Sequence, residues 1–166
     1  RTMDDLRLFA PEPSVTLFPA WEAPPSEQEL PSPLQSQRLA VVRRLRAAAP
    51  EPPPRLIVAP VQALLQPVPD AEALAAATLT LRVGGCARLE ALAEWLVEHG
   101  LRRTTMVEEP GQFSIRGGLL DVHAHTTAQP LRIEFFGDDI ESIRTFDLET
   151  QRSAERLDAC EILALG

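Results

Sequence analysis

At 166 residues the chain is long enough for one ordinary domain, or for a small domain carrying part of a neighbour. An apolar share of 45% supplies a folded core, whereas a net charge of -8 disfavours sequence-independent binding to a phosphate backbone unless cations gather on one face. All 16 basic residues are Arg, a bias that fits a GC-rich genome and also supplies planar forks suited to carboxylates.

The chain opens on Arg1-Thr2-Met3-Asp4 with nothing that resembles a natural start, and reads as a piece cut from a longer protein. Val15-Thr16-Leu17-Phe18 predicts a short strand, followed by a proline-rich loop through Trp21, Pro24, Pro25, Pro31 and Pro33. Ser32-Pro33 resembles an N-cap with proline at the first helical position, opening a helix through Leu39, Val42, Leu45 and Ala49. Leu56 to Ala59 then predicts a compact apolar strand and Val61 to Leu65 an apolar helical turn, so the first 68 residues have the strand-helix rhythm of an α/β layer.

Around Pro67-Val68-Pro69-Asp70 the prolines thin out and the apolar alternation shortens to period two, which marks a domain boundary. From residue 69 to about 150 the pattern predicts an α+β domain. Thr78 to Arg82 reads as a strand, and a helix from about Arg88 to His99 places Leu89, Leu92, Trp95 and Leu96 on one face before Gly100 ends it. An antiparallel sheet follows, with strands at Thr105-Met106-Val107, Gln112 to Arg116, Leu119 to His123, Leu131 to Phe136 and Asp139 to Arg144.

No phosphate-binding glycine loop, nucleophile elbow, zinc helix or Cys/His nucleophile arrangement occurs, so no catalytic residue or cofactor site is assigned. His123 and His125 point the same way from one strand, a possible geometry for two metal ligands, but no third ligand lies nearby and a plain edge or loop position is the preferred reading, so no metal is assigned. Cys86 and Cys160 are too few and too distant for a disulfide framework, which points to a reducing cytoplasm. Neither a signal peptide nor the roughly 20 apolar residues of a membrane helix is present, so no membrane partner is expected.

The outer face of the sheet is more informative. In Leu131 to Phe136, period two sends Leu131, Ile133 and Phe135 to one side and Arg132, Glu134 and Phe136 to the other. If the first set is core, an aromatic flanked by an arginine and an acid faces water, the composition of a protein-docking hot spot. Ordinary solvated sheet residues paired across strands would give the same pattern.

Gly111-Gln112-Phe113-Ser114-Ile115-Arg116-Gly117-Gly118-Leu119-Leu120-Asp121-Val122 and the stretch from Leu131 through Phe136-Gly137-Asp138-Asp139 to Asp147 resemble the region shared by UvrB and the bacterial transcription-repair coupling factors (Mfd). Asp147 to Ser153 is similar to the segment where that region returns to its helicase-like domain. Phe18-Pro19-Ala20-Trp21-Glu22 and Ser36-Gln37-Arg38-Leu39 resemble the coupling-factor branch, and the DNA-clamping hairpin of UvrB has no counterpart. The resemblance implies a partial helicase-like α/β domain over 1–68, a UvrA-binding α+β domain over 69–150 and a return segment over 151–166. It also implies UvrA as the partner, with RNA polymerase, DNA and ATP engaged by other domains of the parent, in the cytoplasm.

By the same resemblance Arg116, Arg132, Glu134 and Phe136 occupy docking positions, and Arg103 matches a further docking arginine, with Arg102 adjacent in register. Ser114 stands where UvrB carries another arginine. The implied role is mimicry, a UvrB-like face that recruits UvrA to stalled polymerase. A UvrB-type damage-clamping helicase and a stand-alone adaptor are the rival readings, and a small-molecule enzyme would need a polar pocket that no motif here announces.

Overall fold

A computed structural model describes residues 15–21, 33–46 and 54–164. The chain divides into two compact units, Arg1–Pro69 and Asp70–Gly166.

In the first unit β1 (Val15–Leu17) and β2 (Leu56–Val58) pair in parallel, with α1 (Pro33–Leu45) between them in the chain and α2 (Val61–Leu65) after them. Parallel pairing requires a crossover, and α1 supplies one. Its apolar positions Leu39, Val41 and Val42 are buried, while Ser32 and Ala49, the expected cap and last apolar position, lie outside the described residues. Arg38 is buried too, and two aromatic rings together with the carbonyls of Pro19, Ala63, Gln66 and Pro67 hold its charge. Its guanidinium lies over the rings of Phe18 and Trp21, at 4.2 and 4.7 Å, and donates to the Pro19 carbonyl at 2.7 Å. Trp21 is thus half-buried as the lid on an arginine.

The second unit begins with α3 (Ala71–Ala76), a helix that the sequence reading omits. Asp70 caps it, its Oδ1 accepting the Ala73 amide at 2.8 Å. β3 (Thr78–Arg82) and α4 (Leu89–Glu98) follow, and the main sheet then runs in the order β4-β5-β6-β7-β8-β9. Those strands are β4 (Arg102–Arg103), β5 (Gln112–Arg116), β6 (Leu119–His123), β7 (Leu131–Phe136), β8 (Asp139–Phe146) and β9 (Ser153–Leu157). A strand expected at Thr105 to Val107 is instead placed earlier, at Arg102–Arg103, because the Arg102 and Thr104 amides bond the Gly111 and Phe113 carbonyls and leave 105–110 to loop out.

Residues 151–164 do more than connect. β9 closes the edge of the main sheet, and β10 (Ala159–Leu163) pairs antiparallel with β3, Cys160 opposite Leu81 and Leu163 opposite Thr78. Serine, glutamate and arginine make β9 polar, which hides its strand character from a hydrophobic pattern.

One side of the main sheet fills the core with Phe113, Leu120, Val122, Ile133 and Ile143, all fully buried, against Leu92 and Leu96 of α4. Burying such side chains contributes about 1.5–3 kcal/mol each, so this face carries most of the unit's stability. Trp95 packs at the rim of that cluster and stacks on His99, ring centroids 4.0 Å apart. Cys160 lies in the same core, where burial pushes its thiol up to about 12, whereas Cys86 is exposed.

Candidate functional site

The other side of the sheet is polar, and strand register fixes its rows. Ser114, Asp121, Arg132, Arg144 and Arg156 follow one another across β5, β6, β7, β8 and β9. The next row toward the hairpin turns is Arg116, Leu119, Glu134 and Ser142. Directly paired residues share a face, so the alternation in β5 and β7 places Arg116, Arg132 and Glu134 on a single surface.

Two tight turns border this surface. Gly117 and Gly137 both take positive φ, 60° and 63°, the conformation that glycine adopts without a Cβ penalty at the first position of a two-residue hairpin turn. Gly118 sits so close to β7 that an added Cβ would lie 2.5 Å from the Phe135 carbonyl oxygen, while the Phe135 amide donates to the Gly118 carbonyl at 2.7 Å. The turn after Arg116 is thereby bonded to the end of β7 that carries Phe136.

Asp121 organises the charges. Its side chain is only 2% exposed and accepts from Arg132 twice, Nε to Oδ1 at 2.7 Å and Nη2 to Oδ2 at 2.8 Å, in the fork geometry that makes such pairs strong. Arg116 reaches diagonally across from β5 and adds Nη2 to Oδ2 at 2.8 Å. The remaining terminal nitrogen of Arg132 donates to the Gln151 carbonyl at 2.9 Å, and its guanidinium lies 4.6 Å over the Phe146 ring. Hydrogen bonding to Asp121 raises the Arg132 pKa above its ordinary value, ahead of the opposing effect of burial.

Arg132 is consequently not the open arginine that alternation alone suggests. Its side chain is 15% exposed, against 49% for Arg116, because the 147–152 loop folds over it. Gln151 holds that loop in the left-handed region at φ 58°, and its Nε2 donates to the Leu148 and Val107 carbonyls. Glu134 is half-buried and accepts the Ser142 hydroxyl at 3.0 Å. Phe136 stands clear, 74% exposed at the tip of the β7–β8 hairpin.

Arg103 lies away from this group. It pairs with Phe113, a core residue, so the pleat turns it toward the helix side at the sheet edge. Arg102 pairs with Gln112 and shares the polar face, where it bonds Glu109 at 2.8 Å; Gln112 donates to the same carboxylate oxygen at 2.8 Å. Both arginines are exposed. Ser114 is buried between Gln112 and Arg116, beneath the polar surface.

His123 is buried on the polar face opposite Gln112, and the His125 ring rests against Gly111. Desolvation lowers both pKa values, with Thr127 opposing it at His123 and Glu109 opposing it at His125. Among the described residues no group of three or more His, Cys, Asp or Glu is placed to hold a metal, and no helix is long and apolar enough to cross a membrane.

Asp121, Phe146 and Gln151 are the site residues that the sequence reading missed. Asp121 carried a signal, an acid between apolar neighbours in a strand, but it becomes legible only when the register sets Leu120 against Ile133 and so Asp121 against Arg132.

An exposed aromatic beside a cluster of paired charges, on the outer face of an antiparallel sheet, has the composition of a protein-interaction surface. Residues 79–165 match the family described as the UvrB interaction domain, and the chain belongs to that family. It is 39% identical over 163 residues to the transcription-repair-coupling factor of Bacillus subtilis (strain 168), covering 98% of this chain and 14% of that protein. The corresponding figures are 36% over 159 residues for the Mycobacterium bovis factor (92% and 13%), and 31% over 150 for that of Haemophilus influenzae (90% and 13%). The chain thus spans about one seventh of the length of these relatives.

Proposed function

We propose that the polar face of the six-stranded sheet docks UvrA, the damage-recognition protein of nucleotide excision repair, in place of UvrB. Phe136 is the anchor, Arg116 and Glu134 set register beside it, and Arg132 braces the surface through Asp121. Arg103, turned to the sheet edge, makes at most a peripheral contact. The observation that carries the reading is Phe136, a large aromatic left 74% exposed next to charges that are already paired. Aromatic anchors of this kind dominate the energetics of protein interfaces.

In a whole coupling factor this module would bring UvrA to RNA polymerase stalled at a lesion, while ATP-driven translocation on DNA belongs to other domains. The parallel β1–α1–β2 unit fits the edge of a helicase-like α/β layer, and the unpaired cysteines fit a reducing cytoplasm. A UvrB-like grip on DNA is the weaker reading, since the chain is acidic overall and its face already contains Asp121 and Glu134.

The affinity of this chain for UvrA tests the proposal. Phe136→Ala should weaken binding roughly thirty-fold or more, the effect of losing about 2 kcal/mol at a hot spot. Equal affinity of parent and variant would remove this face from consideration.

A further inference from the structure

The arginine row extends beyond the residues assigned to docking. Arg144 is the direct partner of Arg132, and Arg156 is the direct partner of Arg144. Three cations therefore stand on adjacent strands of one face, with strands about 4.8 Å apart. Like charges placed directly opposite destabilise a sheet. The first of the three is neutralised by Asp121. The other two form no hydrogen bond or ion pair among the described residues, although 24 acidic residues are available in the chain. Arg156 is exposed on the edge strand and Arg144 half-exposed beside it. The nearest acid in register, Glu134, lies one row away and engages Ser142.

We infer that Arg144 and Arg156 form a second, electrostatic half of the docking surface, which receives a carboxylate-bearing segment of the protein partner, while Arg132 acts as a positioning residue. The inference rests on the docking reading above and divides its labour. Arg132 spends its fork on Asp121 and its remaining nitrogen on the Gln151 carbonyl, so it has little left to offer a partner. Arg144 and Arg156 have whole guanidinium groups free, and a planar fork matches a carboxylate in two parallel bonds. Protein carboxylates fit better than nucleic acid phosphates, because the chain's net charge of -8 repels a continuous phosphate backbone that would run beyond this strip.

The two roles separate kinetically. Rim charges act on association and on its salt dependence, whereas a buried charge partner acts on dissociation. With the full 166-residue chain and UvrA as the probe, the Arg144→Glu/Arg156→Glu double variant should associate about ten-fold more slowly at low salt, with a flattened salt dependence and a thermal midpoint at or above the parent's. Arg132→Ala should instead dissociate faster and keep the parent's salt dependence.

If the double variant keeps the parent's rates and salt dependence while Phe136→Ala loses binding, the inference is overturned and the docking reading survives. Should both variants bind like the parent, both fall. A double variant that binds UvrA normally but loses affinity for a DNA duplex overturns the inference in favour of a phosphate-binding strip.

Discussion

Arg132 and Phe136 lie on the same side of one strand, four residues apart, and meet opposite fates. At the Arg132 end the 147–152 loop folds across the face, Asp121 takes the guanidinium in a fork, and Phe146 lies beneath it. At the Phe136 end two glycine-led turns leave the strand tip uncovered. Alternation decides which side of a sheet a residue occupies, but the loops decide whether water reaches it. A face so built has a rigid, braced end and an open end, and in the docking proposed above the pre-organised end would lower the cost of binding at the other.

The largest effect that separates the two ends should come from Asp121. Asp121→Ala leaves Arg132 covered without its acid, and loss of one partner of a buried pair costs about 3–5 kcal/mol, measurable by urea unfolding. A loss under about 1 kcal/mol would mean that solvent, and not the carboxylate, holds Arg132, and the contrast between the ends would vanish.

Next in size is Gly118→Ala. Its Cβ would lie 2.5 Å from the Phe135 carbonyl oxygen, a backbone atom that cannot turn aside as a side chain can, so the hairpins must part. A destabilisation of about 1–3 kcal/mol should appear in thermal melts, together with weaker UvrA binding, because the same contact fixes the strand end bearing Phe136.

A smaller effect is expected from pH. Burial lowers the pKa of His123 and His125 below the ordinary 6.5, so in the window under 6.5 the unfolded chain binds more protons than the folded one. Their contribution is complete above that value and declines as pH falls through the window, so the melting temperature should drop from pH 7 to pH 5. A His123→Gln/His125→Gln variant should show a shallower drop, and an identical drop would assign the acid sensitivity to the carboxylates.

Least of all, Phe136→Ala should change stability by no more than about 0.5 kcal/mol, as for other surface sites. This near-neutrality sharpens the comparison, since the residue with the largest predicted effect on the partner contributes almost nothing to the fold. A loss of 2 kcal/mol or more would show Phe136 to be packed in solution.

The core strands were legible because their apolar residues alternate cleanly. β3, β5, β6 and β7 occupy the ranges read from Thr78 to Arg82, Gln112 to Arg116, Leu119 to His123 and Leu131 to Phe136. β9 escaped because Ser153-Ala154-Glu155-Arg156 offers no apolar stripe, its pairing being supplied by the neighbouring strand. α3 was missed between Asp70 and Thr78, where five alanines carry a strong helix propensity but almost no amphipathic signal. In the candidate site, the face of Arg116, Arg132, Glu134 and Phe136 followed from period two. The burial of Arg132 did not, because it depends on Asp121 eleven residues earlier and Gln151 nineteen later.

β3 and β10, which lie near the two ends of the second unit in the sequence, run side by side with Thr78 against Leu163. A module whose entry and exit are neighbours can be spliced into a surface loop of another scaffold without stretching its host, since insertion asks only that the two ends meet. If the face docks UvrA as proposed, it is portable, and an unrelated carrier grafted at these two strands should acquire that partner.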